Sequence, residues 1–267
     1  MVNNILDKIK ATVAGPLETV HKVYADYLHS QVPLLQEVNN YLSAQKGKEL
    51  RILLVLLSAS AASGNAEAIT SKTINYAAAM EMLHNASLMH DDVVDNSPIR
   101  RGRHSVKQRW NNQLAVLCGD YYLAQVMRLL KTSDEKHALD IVCNTVIEMS
   151  EGEVLQQQYI MSANSSLQPQ GDTYYEILRR KTASLMAACC ELGDPTMRTF
   201  GEHYGMAFQL WDDINDYSED AELPKPPSDE LFVQKNKHMA AAKDALSTLP
   251  PSKYKDAITS LLEILNL

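Results

Sequence analysis

The amino-acid sequence predicts an all-α protein, and three observations support this fold class. Apolar residues recur with helical spacing along most of the chain, no stretch alternates apolar and polar residues for long, and only ten glycines occur in 267 residues. Short turn-forming stretches separate the helical segments, and none resembles a flexible interdomain linker. We therefore expect a single domain, residues 1–267, folded as a bundle of roughly eight to eleven helices around a central cavity.

Eight segments carry the helical spacing. In the third of them, Met80, Leu83 and Ser87 follow one another at steps of three and four residues, in a stretch rich in Ala, Met and Leu. Turn chemistry marks the breaks, as in SGN, NSP, GDP and PKPPSD. The predicted helical segments, in chain order, are 17–43, 48–63, 74–90, 106–131, 134–160, 172–192, 197–217 and 229–266.

The bulk composition excludes several classes of protein. A net charge of −8 and a pI near 5.5 argue against a nucleic-acid partner or a surface for anionic membranes, because both need a basic face. The four cysteines lack CxxC spacing, which favours free thiols in a reducing cytoplasm over a zinc or redox site. The longest largely apolar run, residues 52–62, is too short to cross a bilayer. We therefore expect a soluble cytoplasmic protein without stable membrane insertion.

The stretch LMHDDVVDNSPIRRG, residues 88–102, contains an unusual concentration of charge. Asp91, Asp92 and Asp95 form a D-D-x-x-D pattern, in which the first and third acids share one helix face and the second lies about 100° round. Negative charge beside apolar residues is unfavourable unless a cation neutralises it. A solvated acidic face would still explain this motif if it stood alone.

The same pattern recurs in FQLWDDINDY, again after an apolar stretch, at Asp212, Asp213 and Asp216. If the two helices face each other, up to six carboxylates line one cavity. Hard oxygen ligands in that arrangement suit Mg²⁺, which takes few protein carboxylates and completes its shell with water and substrate phosphates. The sequence therefore predicts a diphosphate or polyphosphate ligand bound together with Mg²⁺.

Basic residues near the two motifs support an anionic ligand. Arg100 and Arg101 follow the first motif, and guanidinium groups match phosphate oxygens with two parallel hydrogen bonds. Lys48 and Arg51 in KGKELR, and Lys181 in RRKTASL, are further candidate cations. The chain has no P-loop and no GxGxxG sequence, so a glycine-rich nucleotide cradle is not indicated.

Two D-D-x-x-D motifs with an arginine pair after the first resemble the all-trans polyprenyl diphosphate synthases, which elongate isoprenoid chains. The resemblance covers about residues 40 to 217, where GKELR, DDVVDNSPIRRG, KTA and FQLWDDIND fall in the family's order, and it implies the isoprenoid synthase fold. It implies that isopentenyl diphosphate is bound by Lys48, Arg51, His84 and Arg101. It implies that the allylic diphosphate is bound by Arg100 and Lys181. The implied catalytic residues are Asp91, Asp92, Asp95, Asp212, Asp213, Asp216, Lys181, Thr182 and Gln209.

The resemblance also implies a mechanism and a cofactor. Three Mg²⁺ ions, held by Asp91, Asp95 and Asp212, would draw charge from the allylic diphosphate as its C–O bond breaks. The double bond of isopentenyl diphosphate would then attack the allylic cation, and a proton would be lost. Apolar helix walls would exclude the water that quenches such a cation. The family is usually dimeric, so a homodimer is expected.

Product length is predicted from the turn before Asp91. Ser87 and Ala86, four and five positions earlier, would floor the cavity, where family members that stop at fifteen carbons typically carry aromatic residues. Two small residues there favour a product of at least about twenty carbons, and more narrowly about thirty to forty-five. The residues that would form a deeper floor stay unranked among Tyr122, Val126 and Met127.

The chain departs from the family pattern after its second aspartate motif. The family continues with G-K-x-x-x-x-D and G-K-x-T-L-P segments, whereas this chain has SEDAELPKPPSDELFVQK, residues 218–235, and enters its last helix almost at once. The turn at 193–197 is also short, so family loop residues are missing near 193–197 and 221–230. Lys225 is the candidate remnant of the first of these lysines.

Three other interpretations stay open. A noncatalytic partner subunit of a heteromeric synthase would usually lack the aspartate motifs. A class I terpene cyclase would normally carry an N-S-E-type second site. A di-iron carboxylate bundle needs two E-x-x-H motifs facing one site, and EMLH, residues 81–84, supplies one.

Overall fold

The computed structural model describes residues 2–44, 47–132, 136–163, 171–217 and 223–266. Within these ranges the chain forms thirteen α-helices and one short hairpin, so the predicted all-α fold class is confirmed. The helices are α1 (Val2–Thr12), α2 (Ala14–Leu28), α3 (Pro33–Ser43), α4 (Leu50–Ser63), α5 (Ser71–Val94), α6 (Val106–Arg109), α7 (Asn112–Thr132), α8 (Lys136–Ala163), α9 (Gly171–Leu178), α10 (Ser184–Gly193), α11 (Arg198–Asn215), α12 (Ser228–Ala245) and α13 (Lys253–Ile264). Five residues, Arg179–Ala183, form a π-helical turn between α9 and α10.

Several predicted segments divide into two helices. The segment 17–43 breaks where His29 takes an extended conformation, and α3 restarts with Pro33 in its first turn. The segment 229–266 breaks before Pro250 and Pro251, which lack the amide donors that a continuous helix needs. The segment 106–131 breaks at Trp110, whose φ of −121° and ψ of −86° are not helical. The first helix, α1, was not predicted, because its apolar periodicity is weak.

The centre of the bundle consists of α4 and α5. Eleven of the fourteen residues of α4 are buried, from Leu50 to Ala61. A helix that is apolar all round must be enclosed by others, and α4 contacts α2, α5, α10 and α13. In turn, α5 packs against α2, α4, α7 and α10. This packing holds the C-terminal end of α5, with the first aspartate motif, against a rigid core.

Two peripheral contacts matter for the site. Leu6 and Ile9 of α1 are buried, and α1 packs against α13. At the other end of the chain, α12 packs along α11, the helix that carries the second aspartate motif. In the part of the chain that the structure describes, no helix is both long enough and apolar enough to cross a bilayer. Of the cysteines, Cys143 is exposed and the other three are buried, all as free thiols.

Candidate active site

A cavity of about 670 Å³ lies where α5, α11, the π-helical turn and the residues before α4 meet. Eleven of the sixteen residues that the sequence predicts for the site line this cavity. They are Lys48, Arg51, His84, Ser87, Asp91, Arg100, Arg101, Lys181, Thr182, Gln209 and Asp212. The five that do not line it are Ala86, Asp92, Asp95, Asp213 and Asp216. All the predicted cations therefore line one cavity, but only two of the six motif aspartates line it.

The three acids of the first motif have different surroundings. Asp91 faces the cavity. Asp92 is buried and accepts hydrogen bonds from Arg100 Nη2 at 2.6 Å and Arg100 Nε at 2.9 Å. Asp95 caps the C-terminus of α5, with its amide donating to the Asp91 carbonyl at 2.8 Å, and it is exposed. Of the up to six carboxylates expected in one cavity, the first motif thus supplies Asp91, because helix rotation separates Asp92 and the helix ends at Asp95.

The second motif divides its acids in the same way. Asp212 faces the cavity. Asp216 caps the C-terminus of α11, with its backbone amide donating a hydrogen bond to the Asp212 carbonyl at 2.9 Å. Asp213 is held outside the cavity, where its Oδ2 accepts a hydrogen bond from the Tyr174 hydroxyl at 2.5 Å. Gln209 Nε2 donates to Asp213 Oδ1 at 3.3 Å. Two carboxylates, one from each motif, thus remain to face a ligand.

Burial sets the protonation of these two acids. It raises the pKa of Asp91 to about 6, while the Lys181 ammonium opposes the rise and the carboxylates of Glu153 and Asp95 add to it. It likewise raises the pKa of Asp212 to about 6, with Lys48 opposing. Such a shift means that the ionised form lacks full compensation within the protein. A cation in the cavity would supply that compensation.

Arg100 and Arg101 lie in a short β-hairpin with a two-residue turn, which follows the first motif. Ile99–Arg100 pairs with Arg103–His104 in an antiparallel register, and Arg101 and Gly102 form the turn with φ of 51° and 74°. Both turn residues are left-handed, which suits the twist of a tight hairpin but is unfavourable for Arg101. The turn directs the Arg101 guanidinium against Gly47, where a Cβ atom would lie 2.8 Å from Arg101 Cζ. Glycine at 47 therefore leaves room for this arginine.

The loop before α4 places two more cations in the cavity. Lys48 Nζ lies 5.3 Å from the ring centre of Trp211 and 5.8 Å from that of Phe208, within range of a cation–π attraction. Arg51 is partly buried, and its buried Nε has no hydrogen-bond partner. Burial lowers the pKa of Arg51 and raises that of Glu81, and the attraction between the two opposes both shifts. An unpaired guanidinium nitrogen beside a cavity is a suitable donor for an anionic ligand.

His84 lies one turn from Glu81 and also lines the cavity. Burial lowers its pKa well below the ordinary value, and the nearby arginines, Arg51 foremost, lower it further. The imidazole is therefore neutral near pH 7, so it can donate one N–H but adds no positive charge. Among the described residues no three His, Cys, Asp or Glu side chains form a ready-made metal site. That His84 contacts a diphosphate stays a prediction.

The π-helical turn presents Lys181 and Thr182. Lys181 Nζ lies 2.5 Å from Glu153 Oε2 and donates to Gln156 Oε1 at 3.0 Å, while Thr182 Oγ1 donates to Gln209 Oε1 at 2.9 Å. Gly152 lets α8 approach this turn, because a Cβ atom there would lie 2.7 Å from the Arg180 Cβ. These contacts hold Lys181 beside Asp91 without using all three of its donors.

A second, mainly apolar cavity of about 270 Å³ adjoins the first and is lined by α5, α7 and α8. The residues common to both are Ser87, Asp91, Met149 and Lys181. Ala86 is fully buried and lines neither cavity, because position 86 is rotated about 100° from Ser87 and packs into the core. The chain-length floor stays a prediction, to which the cavity lining contributes Ser87. None of the deeper-floor candidates, Tyr122, Val126 and Met127, lines either cavity.

Sequence reasoning missed several residues at the site. Asn3, Asp7 and Lys10 of α1 line the main cavity, as does Met149 of α8. No local pattern marks them, because only the packing of α1 beside the loop at 47–49 brings them there. Lys225, the candidate remnant lysine, donates to the carbonyls of Asp213 at 3.3 Å and Asp216 at 3.4 Å. It thus lies beside the second motif but does not line the main cavity, and its identity as the remnant lysine stays a prediction.

Comparison with known proteins identifies the family. The sequence model of the polyprenyl synthetase family matches residues 32–236. An all-trans-nonaprenyl-diphosphate synthase (geranyl-diphosphate specific) from Rhodobacter capsulatus is 36% identical over 85% of this chain and 71% of its own length. Heptaprenyl diphosphate synthase component 2 from Bacillus subtilis is 33% identical over 81% of this chain and 63% of its own length. The chain thus spans about two thirds of the length of these relatives.

A solved structure agrees with the sequence matches. A polyprenyl synthase from Caulobacter crescentus CB15, crystallised with calcium and isoprenyl diphosphate, superposes with a TM-score of 0.87 at 25% identity, covering 97% of both chains. The family model covers well over half of this chain, and the fold, both aspartate motifs and the order of the basic segments agree with it. The chain therefore belongs to the polyprenyl synthetase family, the family of prenyltransferases that its two aspartate motifs predicted.

Proposed function

We propose that this protein is a trans-prenyltransferase that condenses isopentenyl diphosphate with an allylic diphosphate to give a long all-trans polyprenyl diphosphate. One observation carries the proposal: Asp91 and Asp212, one from each motif, face a single cavity that the five predicted cationic side chains, Lys48, Arg51, Arg100, Arg101 and Lys181, also line. The names of the relatives, which make products of seven to ten isoprene units, support a long product.

Mg²⁺ is the proposed cofactor, with three ions per site as the family resemblance implies. Asp91 and Asp212 fit this role, because each is a partly buried carboxylate whose pKa burial raises even against the opposing charge of Lys181 or Lys48. Asp95, the exposed C-cap of α5 one turn after Asp91, is the third proposed ligand. When bound, Mg²⁺ would neutralise charge that develops on the leaving diphosphate. The calcium and isoprenyl diphosphate in the Caulobacter structure show that the fold of that protein accommodates this pairing.

Each diphosphate is assigned its own set of protein groups. For isopentenyl diphosphate the proposed ligands are Lys48, Arg51, His84 and Arg101, of which Arg51 supplies a buried N–H without a partner and His84 a neutral N–H. For the allylic diphosphate the proposed ligands are Arg100 and Lys181. Arg100 already binds Asp92, so we infer that it contacts the phosphate through the nitrogen Nη1, which that ion pair does not use.

Other residues would order the reacting groups and exclude water. Thr182 and Gln209 are hydrogen-bonded to each other in the cavity wall, and we assign them to the region where the carbon chains would meet. Asp92 and Asp213 would act indirectly, by fixing Arg100 and Tyr174 rather than by holding metal. The apolar side of the cavity, which includes Leu185 and Phe208, would keep water from the allylic cation.

The test is incubation of the purified full chain with radiolabelled isopentenyl diphosphate, an allylic primer and Mg²⁺, followed by sizing of the products. Elongation is expected with Mg²⁺ and is expected to stop when EDTA replaces the metal. The double variant D91N/D212N is the matched control, because it removes the two motif carboxylates that line the cavity and keeps their volume. No elongation by the wild-type chain would contradict the proposal. Activity that appears only with a second subunit would favour a partner-subunit role, and cyclic hydrocarbon products would favour a cyclase.

The product length has its own test at the junction of the two cavities. Ser87 lines both, and the second cavity offers about 270 Å³ of mainly apolar space between α5, α7 and α8. We predict that S87F fills this junction and shortens the product, as measured by chromatography of the dephosphorylated alcohols. The adjacent variant A86F is the control, because its ring would enter the packed core and cost about 1–3 kcal/mol of stability instead. An unchanged product length for S87F would refute the assignment.

The protein is proposed to act as a homodimer. In the described part of α7 and α8, a set of large apolar side chains is exposed, which is unusual for a surface that stays in water. They are Val116, Leu117 and Met127 on α7, and Leu139, Ile147, Val154 and Met161 on α8. Sedimentation equilibrium is expected to give twice the chain mass for the wild type and a lower mass for L117E. The control V233E changes an exposed residue of α12 and is expected to remain dimeric. A monomeric wild type would contradict the proposal.

A further inference from the structure

Glu49 lies between two of the proposed isopentenyl diphosphate ligands, Lys48 and Arg51, but does not bind substrate in the proposed function. Its backbone has a φ of 60° and ψ of 31°, in the left-handed region that residues with a Cβ atom avoid. Glu49 makes no side-chain cap for α4, the helix that begins immediately after it. A strained backbone of this kind persists when contacts elsewhere hold it in place.

The contacts that hold Glu49 come from the two N-terminal helices. Lys10 of α1 donates to Glu49 Oε2 at 2.5 Å, and His21 Nε2 of α2 lies 2.6 Å from Glu49 Oε1. The carboxylate is mostly shielded, with its side chain 15% exposed. One oxygen thus engages each helix, so the carboxylate joins α1, α2 and the start of α4 at a single point.

The charge state of Glu49 agrees with this geometry. Burial alone would raise the pKa of Glu49, but the hydrogen bonds from Lys10 and His21 outweigh it and hold the pKa below the ordinary value. The group is therefore ionised across the neutral range, when both contacts are charge-assisted. Lys10 also lines the main cavity, so the link lies at the wall of the substrate site rather than remote from it.

We propose that Glu49 is a positioning residue: pinned by Lys10 and His21, it keeps the loop 47–51 in the one conformation that aims Lys48 and Arg51 at the isopentenyl diphosphate. The inference rests on the proposed function. Lys48 and Arg51 each have a second restraint, the rings of Phe208 and Trp211 for Lys48 and the charge of Glu81 for Arg51. Glu49 determines how the main chain between them runs. The allylic side of the cavity, with Lys181 and Arg100, is built from other elements.

The test separates the two substrates. For E49Q we expect the KM for isopentenyl diphosphate to rise about tenfold, the low end of the effect of losing a charge-assisted hydrogen bond. The KM for the allylic diphosphate and kcat should stay within about twofold of the wild type, because those interactions are untouched. K10Q should behave like E49Q, and K10R, which keeps the charge, should restore the wild-type KM. The double variant K10Q/E49Q should be no worse than E49Q, because both break the same link.

Two controls exclude a general loss of structure. E18Q removes an exposed carboxylate on α2 whose partner Lys22, at 3.1 Å, is equally exposed, and it should leave both KM values unchanged. Calorimetric titration of isopentenyl diphosphate without the allylic substrate should show the same weakening for E49Q, independently of turnover. The melting temperature is measured in parallel for every variant.

The outcomes distinguish this inference from the proposed function. An inactive wild type contradicts the proposed function itself. An active wild type with unchanged isopentenyl diphosphate KM and affinity in E49Q overturns the positioning role, whether or not the melting temperature falls. An equal rise in both KM values, or a fall in kcat alone, also overturns it. A rise in the KM for isopentenyl diphosphate alone, in E49Q but not in K10R, supports the positioning role.

Discussion

The two aspartate motifs share one sequence pattern and one division of labour, but differ in what secures them. In each, the first acid faces the cavity, the second is taken by a neighbouring side chain, and the third caps its helix: Asp91 and Asp212, Asp92 and Asp213, Asp95 and Asp216. The i, i+1, i+4 spacing produces this division, since consecutive side chains are about 100° apart and both helices end at the last acid.

The difference lies in the cation that follows each motif. After the first, a tight hairpin returns Arg100, which forms two hydrogen bonds with the buried Asp92. After the second, a proline-rich connection brings Lys225, which bonds the carbonyls of Asp213 and Asp216 and lies 3.6 Å from the Asp213 carboxylate. The first motif is thus held by a short-range charge pair, and the second by longer main-chain contacts and a tyrosine. Each motif therefore supplies one carboxylate to the cavity, but the contacts that hold the two motifs in place differ.

The largest expected effect tests the shared part of this comparison. D91N and D212N each remove a cavity carboxylate proposed to hold metal, and we expect each to lower kcat on the order of a thousandfold, as for loss of one main electrostatic group at a reacting centre. The measurement is incorporation of radiolabelled isopentenyl diphosphate at saturating Mg²⁺. D244N, at an exposed acid on α12, is the control. A large loss in one variant with near-normal activity in the other would break the symmetry between the motifs.

The next effect tests the difference. R100Q leaves the buried Asp92 without its charge partner and is expected to lower the free energy of unfolding by about 3 kcal/mol. K225Q loses longer contacts to carbonyl groups and is expected to cost about 1 kcal/mol. Urea unfolding without ligand measures both. If K225Q proved as costly as R100Q, the two motifs would be equally supported and the contrast would fail.

The smallest effect concerns pH. The raised pKa values of Asp91 and Asp212 mean that the folded protein binds protons more readily there than the unfolded chain. Their contribution to stability is therefore present below about pH 4 and is lost as pH rises through about 6. As pH rises over this range in EDTA, the free energy of unfolding of D91N/D212N should fall less than that of the wild type. The difference should be about 1 kcal/mol for each carboxyl, after allowance for solvent screening.

Urea unfolding at pH 4.5 and pH 7 measures this difference, with D244N as the exposed-acid control. Identical pH dependence in the wild type and the double variant would show that the two cavity acids titrate as ordinary carboxylates. If the pH dependence of stability changed in only one of the single variants D91N and D212N, the two cavity positions would differ in their electrostatic surroundings.

Much of the site was predictable because its information is local. The aspartate spacing, the arginine pair and the GKELR and KTA segments identified the family and eleven residues of the cavity, since each motif is a short stretch whose chemistry depends on its own residues. The helical class followed from periodicity in the same way. The helix breaks at Pro33 and at Pro250 also had a local cause, although the predicted segments ran across them.

What the sequence by itself determined about this protein is its family, its all-α class and which residue types supply negative and positive charge. Only the tertiary structure decided that two of six aspartates face the cavity, that Ser87 rather than Ala86 lines it, and that α1 contributes Lys10 to its wall. The physical reason is that periodicity gives the relative angle of side chains on one helix, while the packing of that helix against its neighbours gives the absolute direction. Contacts such as Lys10 with Glu49 join residues 39 positions apart, and no local pattern encodes them.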